Sequence, residues 1–258
     1  MRFLFLIVFI FSTQAFANKI TWLGQATTLI ETSEGKRILI DPFIFNNPKT
    51  PKKFKQESFY KNIDLILITH GHWDHLGAYS KIMKLSPKSM ISMNADMANV
   101  LMTKGELDKK RYIPLNKSGK FNPFKKNNVE VTMVRAEHSS SLKIGDDIHY
   151  GGEPVGYVVR FSNGKTLYHA GDTGVFGDMK MIGEYYQIDL ALLPIGGSYT
   201  MGPKEAAYAI NEYLKPKQIL PIHYGTFPAL KGTPAQLKKH LKKKKRMLNV
   251  APGESVTL

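Results

Sequence analysis

The chain alternates between short apolar runs and polar turns, and this pattern predicts a protein rich in β-sheet. Short runs that are apolar throughout, or that alternate between apolar and polar residues, are typical of buried strands. By this criterion the predicted strands cover residues 19–24, 27–32, 37–40, 63–69, 89–93, 129–134, 155–161, 166–169, 188–193, 218–222 and 255–258.

Helical periodicity predicts helices over residues 76–85, 95–104 and 203–214, the last beginning at Pro203, a favourable first helical position. Residues 43–60 are rich in Pro, Lys and Asn without a period. We expect a long loop there, either the rim or lid of a site or a mobile surface insertion. Because hairpin-rich strands come first and then alternate with helices, the pattern predicts an α+β or α/β fold, with sheets packed face to face and helices outside.

The first residues predict an export signal. Met1-Arg2 is a short positive start, residues 3–11 are apolar, and Ala15-Phe16-Ala17 has the small-x-small pattern of a cleavage site. We therefore expect residues 1–17 to be a signal peptide and residues 18–258 a single domain, periplasmic or secreted. The alternative is an uncleaved anchor, for which the apolar run is short.

The chain contains no cysteine, so disulfides, thiolate metal ligands and a cysteine nucleophile are excluded. Its formal charge is +15, and residues 231–246 contribute seven lysines and one arginine without an acid. Such a surface attracts anions, nucleic acid or acidic membranes, although it can equally be a solvated basic face. Leu237 and Leu241 are one helical turn apart, which predicts that this segment is an amphipathic helix.

The densest chemistry lies in His70-Gly71-His72-Trp73-Asp74-His75, directly after a predicted buried strand. Imidazole and carboxylate groups are the ligands that zinc and related divalent metals take in proteins. His70 and His72 are two residues apart on an extended segment, so their side chains lean the same way and can share one metal. Asp74 and His75 lie where a helix begins and suit a second metal.

Three further residues occur in the same setting, each following an apolar strand in a turn that contains Gly or Ser. They are His138, Asp172 and His223. A single histidine in such a position is more often structural. Several such positions with ligand-type side chains instead predict that the strand ends converge on a metal site.

The motif and these later residues resemble the metallo-β-lactamase superfamily of hydrolases, and the resemblance covers nearly all of residues 18–258. It implies a four-layer αββα sandwich of two mixed sheets. It further implies that one metal is bound by His70, His72 and His138, and a second by Asp74, His75 and His223, with Asp172 as the bridge. Asp41 matches a strand-end aspartate that supports the ligand loop in this superfamily.

Within the superfamily, the segments 22–26, 40–42, 170–174 and 221–226 look like poorly characterised metal-dependent hydrolases. These are related to ascorbate-6-phosphate lactonase and N-acyl-phosphatidylethanolamine phospholipase D. The resemblance implies a hydroxide bridging two divalent ions, most readily Zn, with Mn, Fe or Ni also accommodated. Asp74 and Asp172 would be the catalytic carboxylates. The expected substrate is a small ester, lactone or phosphodiester, with anionic compounds and lipids included.

Three other residues are weaker candidates. Tyr199 follows a strand at the expected site edge and is as consistent with substrate contact as with packing. His169 is expected to support a ligand rather than to bind metal, and Tyr224 to contact substrate or orient His223. The alternative functions are a β-lactamase, a nucleic-acid phosphodiesterase, which export argues against, and a membrane-surface module using residues 231–246. The sequence does not indicate an oligomeric state.

Overall fold

Two six-stranded mixed sheets form the centre of the protein in the computed structural model, which describes residues 17–125 and 127–258. In chain order the strands are β1 (Lys19–Gly24), β2 (Thr27–Glu31), β3 (Arg37–Ile40), β4 (Leu65–Leu67), β5 (Met90–Ser92), β6 (Lys120–Phe121), β7 (Glu130–Arg135), β8 (Ser141–Ile144), β9 (Asp147–Tyr150), β10 (Val155–Arg160), β11 (Thr166–His169), β12 (Leu190–Pro194), β13 (Gln218–Ile222) and β14 (Ser255–Thr257). The α-helices are α1 (Trp73–Leu76), α2 (Tyr79–Leu85), α3 (Ala95–Thr103), α4 (Met179–Tyr186), α5 (Pro203–Tyr208) and α6 (Pro234–His240).

The strand order is β14-β1-β2-β3-β4-β5 in the first sheet and β13-β12-β11-β10-β7-β6 in the second, while β8 and β9 form a separate hairpin. Strands β3, β4 and β5 are parallel, as are β11, β12 and β13, and the other neighbouring pairs are antiparallel. Side chains that follow the carboxyl ends of parallel strands meet at one edge of a sheet, which is where the candidate residues lie.

The core has three parts, and together they define four layers. Apolar side chains of both sheets, such as Leu65 and Leu190, are buried against each other between the sheets. Helices α2 and α3 cover the outer face of the first sheet, and α4, α5 and α6 cover the second. The predicted αββα arrangement of two mixed sheets is confirmed.

One predicted helix had the wrong bounds, whereas the bounds predicted for residues 203–214 were right. The helix expected over residues 76–85 begins at Trp73 and is interrupted by Gly77, whose φ of +49° ends α1. A Cβ at this glycine would lie 2.5 Å from the carbonyl oxygen of Pro42, so the chain needs glycine there. The predicted helix 203–214 is continuous but changes from α-helix α5 to a π-helix over Ala209–Leu214.

Some elements lack a clear signal in the sequence. Helix α4 contains Gly183, which lowers its helical propensity. A side chain there would lie 2.6 Å from the carbonyl oxygen of Leu214, so the glycine permits close packing. The β8–β9 hairpin was also missed, although its strands alternate between polar and apolar residues, and Leu142 is its one fully buried apolar residue.

The basic segment 231–246 is not one long helix. Helix α6 ends at His240, an extended Leu241 follows, and Lys244–Arg246 form a single 3₁₀ turn. Leu237 and Leu241 are buried, as predicted for the apolar face. The lysine run lacks the acids at i±4 that offset repulsion in a helix, which explains the early end.

Residues 43–60 form a packed segment rather than a mobile insertion, with 3₁₀ turns at Lys52–Lys55 and Glu57–Tyr60. Phe43, Ile44 and Tyr60 from this segment are buried. Short 3₁₀ turns also occur at Lys109–Arg111. The predicted signal peptide lies outside the described residues apart from Ala17. Within the described ranges, no helix is long and apolar enough to cross a membrane.

Candidate metal centre

The loop after β4 is held in place from below by Asp41, at the end of β3. The fully buried Asp41 carboxylate accepts hydrogen bonds from the Thr69 backbone N–H at 2.8 Å and the Thr69 hydroxyl at 2.7 Å. Its Oδ2 also lies 2.8 Å from Nδ1 of His75. This contact fixes the orientation of the His75 ring and leaves Nε2 facing the site, the arrangement common for metal-binding histidines.

Three histidines form what we call the first ligand group: His70, His72 and His138. Each offers a ring nitrogen within 4.8 Å of those of the other two. His70 is fully buried, whereas His72 and His138 are partly exposed and line the pocket described below. This group therefore combines one buried and two partly exposed imidazoles, and it contains no carboxylate.

A second ligand group consists of Asp74, His75 and His223, whose candidate ligand atoms also lie within 4.8 Å of one another. Asp74 Oδ2 is 3.6 Å from His75 Nε2 and 3.5 Å from His223 Nε2. His75 and His223 are both buried. This group is thus deeper than the first and includes a carboxylate.

Asp172 lies between the two groups, immediately after the β11 strand. Its Oδ1 is 3.3 Å from His75 Nε2, and its Oδ2 is 3.0 Å from His223 Nε2 and 3.7 Å from His138 Nε2. Asp172 therefore faces histidines of both groups. The chain reaches this position through Gly171, with φ of +62°, where a Cβ would lie 2.8 Å from Cβ of Thr69.

The donor atoms of the site fit divalent metal ions. His75 Nε2 and Asp172 Oδ1 are buried and find no hydrogen-bond partner among the described residues. Leaving a buried polar atom unpaired costs about 1–3 kcal/mol, so such atoms usually have a binding role. Imidazole nitrogen and carboxylate oxygen, without thiolate, suit Zn, Mn, Fe and Ni.

The two groups differ electrostatically in the metal-free protein. Burial, together with the neighbouring His75, holds the pKa of His70 well below its usual range, and burial also lowers the pKa of His72 and His138. Burial acts in the same direction on His75 and His223, but the surrounding carboxylates outweigh it. They raise the pKa of His75 well above its usual range and that of His223 to about 9.

The pKa values of the two carboxylates, Asp74 and Asp172, are lowered. Burial favours the neutral form of Asp74, but the charge of His75 and a hydrogen bond with His223 lower its pKa to about 2. The pKa of Asp172 is also lowered well below its usual range, because His223 and His75 outweigh the effect of burial. Both side chains are therefore ionised at neutral pH.

Gln25 is a site residue that the sequence analysis did not assign. Its Nε2 donates to Asp74 Oδ2 at 2.7 Å and lies 2.7 Å from His223 Nε2. Its backbone oxygen accepts from the His223 N–H at 2.9 Å. The side chain is 1% exposed, and its Oε1 has no partner in the described part of the chain.

A shared backbone feature links this residue to the predicted ones. Gln25, Asp41 and His223 follow strand ends and have φ of +52°, +49° and +53°. Non-glycine residues in this region are uncommon and concentrate at functional sites. The position of Gln25 beside Gly24 at a strand end could have indicated a site residue. It was not predicted because glutamine, unlike histidine, is not a typical metal ligand.

Ser140 joins two loops that carry candidate ligands, the loop after β4 and the loop after β7. Its hydroxyl accepts from the Gly71 N–H at 3.1 Å and donates to the Gly151 carbonyl at 3.0 Å. The neighbouring Ser139 hydroxyl lies 3.5 Å from His72 Nε2 at the pocket surface.

The weaker candidates are placed as follows. His169 is fully buried, lies 2.8 Å from the Ala26 carbonyl through Nε2, and accepts from the Gly171 N–H through Nδ1. It thus supports the turn before Asp172. Tyr224 stacks on Trp22 with ring centroids 5.2 Å apart, whereas Tyr199 is 65% exposed and lines the pocket.

A cavity of about 890 Å³ opens over the ligand groups. Its lining includes Gln25, His72, Trp73, Asp74, His138, Ser139, Asp172, Ser198, Tyr199, His223, Phe227, Pro228, Ala229 and Leu230. The polar members lie at the metal centre and the apolar members form the walls. This combination of a few convergent polar groups with apolar walls is typical of small-molecule sites.

Known proteins are similar to this chain in both sequence and fold. A family profile described as the beta-lactamase superfamily domain matches residues 36–224. A protein of Cupriavidus metallidurans named UPF0173 metal-dependent hydrolase is 46% identical over 230 residues, which cover 87% of this chain and 79% of that protein. A protein of the same name from Methanosarcina barkeri is 40% identical, covering 93% and 98% of the two chains.

Among solved structures, Igni18, described as a novel metallo hydrolase from Ignicoccus hospitalis, has a TM-score of 0.78 and 32% identity. The alignment covers 94% of this chain and 98% of Igni18. The resemblance to the superfamily is confirmed, and the protein is a metal-dependent hydrolase. The chain belongs to the metallo-β-lactamase superfamily.

Proposed function

We propose that the protein uses two divalent ions, one held by the first ligand group and one by the second, with Asp172 shared between them. The position of Asp172 is the observation that carries this proposal. Its two oxygens lie within 4 Å of histidines from both groups, at 3.3 Å from His75 and 3.7 Å from His138. A carboxylate so placed suits a pair of neighbouring ions.

Bound ions of this kind acidify water and polarise the oxygen that carries charge in a hydrolytic transition state. The chain supplies the arrangement around them. Asp41 orients His75, and Gln25 holds Asp74 through its amide N–H. The ionised carboxylates of Asp74 and Asp172 would supply negatively charged ligands at the pocket floor, while the open cavity admits the substrate.

We further propose that the substrate is a small ester, lactone or phosphodiester and that zinc is the resident metal. In the reaction the oxygen of water bonds to the carbon or phosphorus centre, the bond to the leaving oxygen breaks, and the leaving oxygen takes up a proton. The ligand set of imidazole nitrogens and carboxylate oxygens supports zinc and also accommodates Mn, Fe or Ni.

Metal analysis followed by a substrate panel tests this function. Protein purified after expression in zinc-supplemented medium should contain close to two zinc ions per chain. It should hydrolyse at least one of a lactone, a thioester, a carboxylic ester and a phosphodiester. A content near one ion, or hydrolysis of nitrocefin above every other substrate, would contradict the proposal, the latter in favour of a β-lactamase.

A further inference from the structure

The walls of the metal pocket are aromatic and accessible. Trp73 and Tyr199 are 64% and 65% exposed, and Phe227 lies beside Trp73 with ring centroids 5.5 Å apart. Phe43 also contacts Trp73, with ring centroids 5.1 Å apart, and its ring lies 6.2 Å from that of Phe227. Large apolar side chains left exposed at the mouth of a cavity mark a surface that another apolar group covers.

The same pocket has no lysine or arginine among its described lining residues, although the chain contains 36 of them, and its three histidines belong to the ligand groups. Enzymes that recognise phosphate or carboxylate groups generally place Arg or Lys against them. The basic residues of this chain lie elsewhere, including the run in 231–246. The high net charge therefore gives no reason to expect an anionic group away from the metals.

A second groove of about 460 Å³ shares Trp73 with the first cavity and is lined by Phe43, Ile44 and Phe45 among others. Its one basic residue, Lys81, is already neutralised by Glu57 at 2.6 Å and lies over the Phe45 ring at 4.4 Å from the centroid. An apolar group that passes Trp73 thus meets a further apolar surface.

We propose that the substrate is an uncharged carboxylic ester or lactone whose apolar acyl or aryl group binds against Trp73, Tyr199 and Phe227. This inference rests on the proposed hydrolytic function and names its substrate class. The carbonyl carbon lies over the ligand groups. Water oxygen bonds to that carbon, the C–O bond to the alcohol breaks, and the alcohol oxygen takes up the proton, so the products are a carboxylic acid and an alcohol.

The first test compares acyl groups on one leaving group. The zinc-loaded protein should hydrolyse para-nitrophenyl octanoate with kcat/KM at least about tenfold above that for the anionic hemisuccinate ester, in line with the discrimination that apolar pockets provide. Bis(para-nitrophenyl) phosphate should be poorer still. Equal or faster hydrolysis of either anion, with hydrolysis itself intact, would overturn the proposal.

Variants locate the effect in the pocket wall. Phe227→Ala should raise KM for the octanoate about tenfold, and by a larger factor than KM for the acetate ester of the same phenol, because the octanoyl group adds apolar contact with the ring. Tyr185→Ala is the matched control, since Tyr185 is 77% exposed on α4 and is not among the pocket residues. An unchanged octanoate KM in a zinc-replete Phe227→Ala protein would contradict the assignment.

Binding can be measured without turnover because the chain has two tryptophans and only Trp73 is accessible, Trp22 being 1% exposed. Octanamide should protect Trp73 from quenching by acrylamide, whereas succinate should not. If no ester is hydrolysed but octanamide protects Trp73, the proposed function fails and the pocket assignment stands. If esters are hydrolysed but octanamide gives no protection, the substrate class is wrong.

Discussion

The two ligand groups differ in depth and in the support that the chain gives them. The first group consists of imidazoles alone, and two of its three members are partly exposed, against one of three in the second group. In the second group, His75 is held by Asp41, and both Asp74 and His223 are contacted by Gln25. The second group is therefore preorganised by its neighbours, whereas the first group has fewer contacts beyond its own loops.

Asp172 belongs to both groups, so its removal should have the largest effect. Asp172→Ala should abolish turnover and lower the zinc content of both positions, because a buried carboxylate facing three histidines is lost. Zinc analysis and ester hydrolysis check the outcome, and circular dichroism confirms the fold. Asp178→Ala, an exposed aspartate, is the control. Retained turnover with two zinc ions would refute the shared role.

Substitution of Asp41 should affect the zinc affinities of the two ligand groups differently. Asp41→Asn keeps the shape and tolerates the positive φ, but it removes the charge and one acceptor facing His75. We expect affinity for one zinc ion to fall about a hundredfold while the other is retained, as for lost partners of metal-binding histidines. Zinc titration of the metal-free protein measures both affinities.

The control for this variant is Asp64→Asn. Asp64 lies directly before β4, at the end of the strand opposite the ligand loop. Its carboxylate pairs with Lys36 at 2.8 Å, away from the site. It should leave both zinc affinities unchanged. An equal loss of affinity for both zinc ions in Asp41→Asn would indicate that the loop after β4 is disturbed as a whole. The proposed difference between the groups would then be lost.

The pKa shifts predict that the groups load with different pH dependence. In the metal-free protein, the raised pKa values of His75 and His223, the latter about 9, keep these side chains protonated at pH 7. Zinc must displace those protons, so affinity at the second group should rise from pH 7 to 9, up to about tenfold per unit for each proton. The lowered pKa of the first-group histidines predicts little change over this range.

Calorimetric titration in buffers of different ionisation enthalpy counts the protons released. We expect at least one proton on binding one zinc ion and close to none on binding the other. The same proton count for both ions would remove the electrostatic difference between the groups.

Much of the site could be predicted because its chemistry is concentrated. Four ligand-type residues lie within His70–His75, and His138, Asp172 and His223 each follow a buried strand. The π-helix and α4 depend on how the helices pack, which periodicity does not report. Gln25 was missed for a related reason, since its importance lies in contacts between residues far apart in the chain.

Substitution of Gln25 should have the smallest effect on zinc affinity and the one most specific to the second group. Gln25→Met keeps a side chain of similar length but removes the N–H donor to Asp74 Oδ2. We expect affinity for the second-group zinc to fall about tenfold, the lower end of the range for supporting residues, with first-group affinity unchanged. Gln56→Ala, at an exposed glutamine, controls for the loss of an amide. If Gln25→Met instead changes substrate KM without altering either zinc affinity, then its unpaired Oε1 serves the substrate and the second group is held by its own ligands alone.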